Sequence, residues 1–181
     1  MPELLFRTMS ESDSPAFLVD AYADPVIIKV NGRISFLNCG PFRDFMNRLI
    51  PEGKRNFVID FEDCTGMDST FLGAIAGAAL ELRKQEDPGK IFLFRLGTRN
   101  LELVKNLGLH RLLHVEEGAG RAASAEKLQK LEEDPGQKAA SEVENAKLVL
   151  EAHENLIRAD EENRSKFQDV ISFLKNQVAA E

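Results

Sequence analysis

Up to about residue 115, apolar positions come in short blocks cut by Gly, Pro, Asn and Asp; over the last forty or so they recur at helical spacing. Phe17-Leu18-Val19 opens a strand running to about Tyr22, and Asp24-Pro25 turns the chain. Val26 to Val30 is a second strand, closed by Asn31-Gly32, so the two predict a hairpin. From Pro41 to Ile50 the apolar residues Phe42, Phe45, Met46 and Leu49 recur at three- and four-residue steps, one face of a helix with Pro41 in its first turn. Phe57 to Phe61 reads as a buried strand, Glu62 to Met67 as a loop, and Thr70 to Gln85 as a helix. Ile91 to Phe94 is another strand, Asn100 to Leu107 a short helix stopped by Gly108, and Arg111 to Val115 a last short strand. Ser124 then serves as N-cap for a helix to about Glu133.

The order β-β-α-β-α-β-α-β-α predicts an α/β fold. An opening hairpin is followed by strands made parallel by right-handed crossovers, giving a mixed sheet with helices packed on it. The polar run Ser10 to Ser14 marks residues 1–14 as a flexible N-terminus. The folded domain takes residues 15–133. Asp134-Pro135-Gly136 breaks the chain, and residues 134–181 form a helical extension rich in Ala, Glu, Lys, Leu and Gln.

The extension opens with a capping-box pattern at Ser141 and Glu144. Val143, Leu150, Ile157, Arg164, Ile171 and Val178 fall on one heptad position. Ala146, His153, Asp160, Phe167 and Leu174 fall on the other, so the stripe is apolar at its ends and polar in its middle. A continuous helix here would span roughly 60 Å and needs a partner surface. Three arrangements are open: self-association as a coiled coil, a hairpin folded back near Asp160 to Arg164, or docking on the sheet domain. His153 lies on the stripe as a packing residue.

Thirty acidic against 23 basic residues give a net charge of −7, which argues against a nucleic-acid binder. No apolar run approaches the roughly 20 residues of a membrane span. Cys39 and Cys64 stand apart without metal or redox spacing, as in a cytoplasmic, reduced protein. His110 with His114, and the acidic set Asp60, Glu62, Asp63 and Asp68, are weak metal candidates, read instead as ordinary surface groups. No nucleophile–base–acid set, phosphate-binding glycine loop or dinucleotide fingerprint appears, so neither an enzyme nor a cofactor is expected.

The most informative stretch is Phe57 to Gly73, a strand, a connection, and then Met67-Asp68-Ser69-Thr70-Phe71-Leu72-Gly73 opening a helix. With the Asn31-Gly32-Arg33 turn and Asn106-Leu107-Gly108-Leu109 before the last strand, it resembles the STAS family, the domain of sulfate-transporter tails and anti-sigma factor antagonists. The resemblance runs through residues 16–133. It implies a regulatory protein that binds a serine-kinase anti-sigma factor and is released when that kinase phosphorylates Ser69, with a PP2C-type phosphatase to reset it. Thr70 is the second candidate hydroxyl. Met67, Asp68, Ser69, Thr70, Phe71, Leu72 and Gly73 form the implied partner face, Gly73 letting the first turn pack tightly. Phe71 departs from the glycine usual in bacterial antagonists, which alters that face. A hydroxyl at a helix N-terminus suits this role physically, because unpaired N–H groups and partial positive charge there accommodate a cap or a phosphate. The other readings are a non-switching scaffold or transporter-associated module, in which Ser69 is only a cap, and a sensor of a small ligand held between sheet and helices.

Overall fold

The computed structural model describes residues 14–117, 127–131 and 140–180. Six strands form one mixed sheet: β1 (Phe17–Asp20), β2 (Val26–Ile34), β3 (Asn56–Met67), β4 (Lys90–Phe94), β5 (His114–Glu116) and β6 (Gln129–Lys130). Their spatial order is β5-β4-β3-β2-β1-β6. β1 pairs antiparallel with β2, as the hairpin requires, and β2, β3, β4 and β5 run parallel. Three helices complete the crossovers: α1 (Gly40–Leu49), α2 (Ser69–Arg83) and α3 (Thr98–Asn106).

Period-two burial sets the faces of the sheet. Val26, Ile28 and Val30 of β2, Phe57, Ile59 and Phe61 of β3, and Ile91 and Leu93 of β4 are buried, and their alternates are mostly half-buried or exposed. The centre of the core is aromatic. Phe71 of α2 lies 5.8 Å from Phe17 of β1, 5.2 Å from Phe42 of α1 and 6.4 Å from Phe61 of β3, ring centre to ring centre. Offset and edge-on aromatic pairs at these distances add to the area they bury.

Three expectations need correction. Asn31-Gly32 does not close β2. Gly32 takes φ +71, the ladder with β3 shifts register on either side of it, and pairing continues to Ile34 opposite Met67. A glycine at positive φ here sits at an irregularity inside a strand rather than in a turn after one, the extra residues of the ladder lying on β3. For the same reason Glu62 to Met67 is not a loop but the second half of β3. Third, Gln129–Lys130 is strand, not helix: it pairs with Leu18 and Val19, and the Leu131 amide donates to the Phe17 carbonyl at 3.0 Å. The free edge of β1 offers unpaired backbone groups that a neighbouring segment satisfies. The proposed cap at Ser124 and the break at Asp134-Pro135-Gly136 lie outside the described residues, as do residues 1–13. The last predicted strand is shorter than expected: a 3₁₀ turn at Leu109–Arg111 follows Gly108, φ +70, before β5 begins.

The extension is not one helix. α4 (Glu142–Ala159) starts with the expected capping box, Ser141 with Glu144. It stops at Asp160, whose extended backbone and side-chain acceptance from the Glu162 amide start a 3₁₀ turn into α5 (Arg164–Ala179). The polar middle of the heptad stripe is this corner. Folding back and docking on the domain therefore occur together. α4 packs along α2 and α5 packs along α4. No helix among the described residues is long and apolar enough to cross a membrane.

Candidate functional site

The N-terminus of α2 is built by Asp68. Its backbone is extended, at φ −104 and ψ 175, and its Oδ1 accepts from the Phe71 amide at 2.9 Å, so Asp68 is the N-cap. Its Oδ2 accepts from the Phe36 amide at 2.9 Å, and its own amide donates to the Ile34 carbonyl at 3.1 Å. One side chain thus ties the helix start to the connection between β2 and α1. At the tip of that connection stand Phe36 and Leu37, 39% and 73% exposed.

Because Asp68 caps the helix, the Ser69 hydroxyl is free for another partner. That partner is His153 of α4, whose Nε2 lies 2.9 Å from Ser69 Oγ. His153 Nδ1 is 2.6 Å from the Val149 carbonyl, which can only accept, so Nδ1 carries a proton. In the neutral imidazole Nε2 is then the acceptor, and Ser69 donates to it. The ring also meets Phe167 edge-on at 4.8 Å. A serine with a histidine makes two of the three members of a nucleophile–base–acid set, but Nδ1 is held by a backbone carbonyl instead of a carboxylate.

The other residues of the expected partner face are placed differently from one another. Asp68 and Ser69 are half-buried. Phe71 and Leu72 are fully buried in the core, and Met67 and Thr70 are 7% and 3% exposed. Phe71 therefore does not alter the outer surface; its ring fills the aromatic centre. Gly73 serves contact between helices: a β-carbon there would lie 2.2 Å from the Ala152 carbonyl oxygen. Asn155 covers the next glycine of the same face, its Nδ2 being 2.3 Å from where a β-carbon of Gly77 would stand, and Nδ2 donates to the Gly73 carbonyl at 3.3 Å.

The acidic residues near the site have partners of their own. Arg95 pairs with Asp60, and with Glu62 at 2.7 Å. Lys29 pairs with Asp63 at 2.8 Å, a hydrogen bond that raises the lysine pKa. Among the described residues no group of three or more His, Cys, Asp or Glu is placed to hold a metal ion. The Cys39 thiol, buried at the N-terminus of α1, is pushed up to about 12, first by desolvation and then by the Asp68 charge. Cys64 is also raised by burial. Neither is poised as a nucleophile at neutral pH.

His153 is the site residue that the sequence reading treated as packing alone. Its signal was a polar ring on the face of a helix that must be buried, which calls for a hydrogen-bond partner.

Comparison with known families matches residues 16–122 to the STAS domain. Among curated proteins, the anti-sigma-B factor antagonist of Staphylococcus aureus is 25% identical over 91 residues, half of this chain and 82% of that protein. Among solved structures, the anti-sigma factor antagonist SpoIIAA in its unphosphorylated form is 20% identical, with a TM-score of 0.48 over 57% of this chain and 90% of that one. An anti-sigma factor antagonist from Mycobacterium paratuberculosis gives 19% and 0.47 over 59% and 88%.

Proposed function

The chain belongs to the STAS domain family, and on that premise we propose that it is a cytoplasmic regulator of the anti-sigma factor antagonist type, switched by phosphorylation of Ser69. The observation that carries this reading is the position of the Ser69 hydroxyl. It is the first residue of α2, next to a cap made by Asp68, and owes nothing to holding the helix together. A serine needed as a cap could not be modified without loosening the helix; this one can.

The partner is a serine-kinase anti-sigma factor. It contacts the N-terminal turn of α2 at Asp68 and Ser69, the helix face through Gly73, and the exposed Phe36 and Leu37 beside them. Met67, Thr70, Phe71 and Leu72 support that surface from within. In the transfer, Ser69 Oγ forms a bond to the γ-phosphorus of the kinase's ATP, the bond to the β-phosphate oxygen breaks, ADP leaves, and the hydroxyl proton passes to a base of the kinase. The product carries about −1.5 to −2 charges beside Asp68 and repels an acidic or tightly desolvated surface. Binding is lost while the fold persists, a local electrostatic switch. A PP2C-type phosphatase restores the hydroxyl. The chain itself performs no catalysis and needs no cofactor.

The test is incubation of the full chain with ATP and a purified serine-kinase anti-sigma factor from the same organism. Mass spectrometry is expected to place one phosphate on Ser69, and Ser69→Ala to abolish it with an unchanged circular dichroism spectrum. Labelling that persists in Ser69→Ala removes the assignment; stable kinase binding with no labelling favours a non-switching scaffold.

A further inference from the structure

The surface just assigned to the partner is already occupied. Ser69 is bonded to His153, Gly73 lies under the backbone of Ala152, and Gly77 lies under Asn155. All three covering residues belong to α4, in a hairpin that falls outside the matched residues 16–122. We infer that the α4–α5 hairpin is an autoinhibitory lid: it occupies the α2 face that a partner protein needs, and a partner reaches Ser69 only when α4 has lifted. This inference rests on the reading of α2 as the partner face.

The two occupants exclude each other. Where a β-carbon of Gly73 would already stand 2.2 Å from a carbonyl oxygen, no atom of a second protein can enter. Nor is there room for a phosphoryl group in the 2.9 Å between Ser69 Oγ and His153 Nε2, so a phosphorylated Ser69 and the docked lid do not coexist in this geometry.

The docking is specific along the C-terminal half of α4 and at the corner that follows it. Beside α2 there are the Ser69–His153 and Asn155–Gly73 bonds. At the corner, the fully buried Asn163 donates from Nδ2 to the carbonyls of Leu107 at 2.9 Å and Leu156 at 2.8 Å. Lys166 Nζ donates to the Asn106 carbonyl at 2.7 Å. Such a set fixes one register of α4 on the domain.

The docking is also separable. Of the hairpin's buried apolar residues, only Leu148 and Leu156 join the main core; Ala146, Ala152, Ile171 and Leu174 are buried outside it. Next to the α2–α4 seam a cleft of about 550 Å³ remains between α1, α2 and α4, lined by apolar side chains such as Met46 and Leu80 and by charged ones such as Arg43 and Glu151. The ion pair across it, Arg43 to Glu151 at 3.6 Å, is exposed enough to contribute little. Two leucines in the core, the half-buried Ala159 and Phe167 against it, a few hydrogen bonds and an adjoining cleft describe a contact that opens below the energy of global unfolding.

Hydrogen–deuterium exchange on the full chain tests this, with Ala152→Arg as the comparison. In the native chain, amides of α4 are expected to exchange through an opening that leaves β2 and β3 protected. In Ala152→Arg, amides from Thr70 to Ala78 are expected to exchange at least tenfold faster while the sheet stays protected, and Ser69 to be phosphorylated by the same kinase at least tenfold faster. Exchange of α4 only with the whole sheet, or loss of sheet protection in Ala152→Arg, overturns the lid. So does equal phosphorylation of the two proteins. If neither protein is phosphorylated, the phosphoswitch reading falls, and the lid is judged by exchange alone.

Discussion

A β-carbon added to Gly73 would meet the carbonyl oxygen of Ala152 at 2.2 Å, so the two helices touch backbone to backbone at this point. Gly73→Ala has two opposed effects. Replacing a helix-interior glycine favours α2 by about 1 kcal/mol. Forcing a methyl group against backbone costs typically 1–3 kcal/mol or more, and backbone cannot swing aside. The clash wins at the seam, so Gly73→Ala is expected to loosen α4 while leaving the sheet domain as stable as before. Gly77→Ala meets only the end of the Asn155 side chain, which can rotate away at the loss of its long bond to the Gly73 carbonyl and of the one it accepts from Arg158, about 1 kcal/mol or somewhat more. It should be near neutral. Exchange rates of α4 amides in the two variants check the contrast; equal effects would contradict it.

The Ser69–His153 bond is expected to show up as coupling. Ser69→Ala leaves Nε2 without its donor, and His153→Phe leaves the hydroxyl without its acceptor. Each single variant should loosen α4, and the double variant should be less than additive by about 1 kcal/mol. The measurement is a double-mutant cycle on the sub-global opening of α4. An additive cycle would mean that the 2.9 Å contact contributes nothing.

Asn163 closes the corner between α4 and α5 by satisfying two carbonyls while fully buried. Asn163→Ala leaves the Leu107 carbonyl without this donor, while the Leu156 carbonyl keeps the Asp160 amide, so the cost is about 1–3 kcal/mol for the one orphaned carbonyl. Asn163→Asp should be worse, because it sets acceptor oxygens against acceptor carbonyls. Urea unfolding followed by exchange of α5 amides is expected to rank native, Ala, Asp in falling order.

Phe71 sits among Phe17, Phe42 and Phe61. Phe71→Gly is expected to cost about 3–5 kcal/mol for the lost ring plus about 1 kcal/mol for glycine in a helix. Against a typical total of 5–15 kcal/mol this removes much of the stability, read as a lower urea midpoint by circular dichroism. A near-neutral result would place the ring outside the core.

Short apolar blocks between Gly and Pro gave away β1 to β5 and the helices α1 to α3, because burial on one or both faces imposes a period that one sequence can show. The irregularity at Gly32 was hidden: Asn-Gly favours positive φ equally in a turn and inside an irregular strand, and only the continued pairing with β3, Gly32 opposite Cys64 and Ile34 opposite Met67, tells them apart. β6 was hidden as well, since Gln129 and Lys130 are helix formers drawn into a sheet by the open edge of β1. At the site, Ser69 was legible from the local pattern of strand, connection and helix start. His153 was not, because its contact joins residues 84 apart, and nothing local to either end encodes the docking of α4. The polar middle of the heptad stripe marked the corner at Asp160 without saying that the helix would end there.

Alkaline pH provides the last test, through Cys39. Its thiol is pushed up from 9.0 to about 12 in the folded chain, chiefly by burial. The folded state therefore keeps the proton that the unfolded chain releases near its ordinary value. Stability is unaffected below about pH 9 and falls as pH rises from there towards about 12, because ionisation then favours the unfolded chain. Cys64, raised in the same direction, adds to the trend. The slope that one such group contributes is at most about 1.4 kcal/mol per pH unit. Cys39→Ala is expected to be less stable at pH 8, since it leaves a small cavity beside α1. Between pH 9 and 10.5, however, its urea midpoint should fall less steeply than that of the native chain. Iodoacetamide at pH 8 should leave Cys39 unmodified in the native protein and label it once urea has unfolded the chain. Rapid native labelling, or parallel pH slopes for the two proteins, would mean that the thiol is neither buried nor raised.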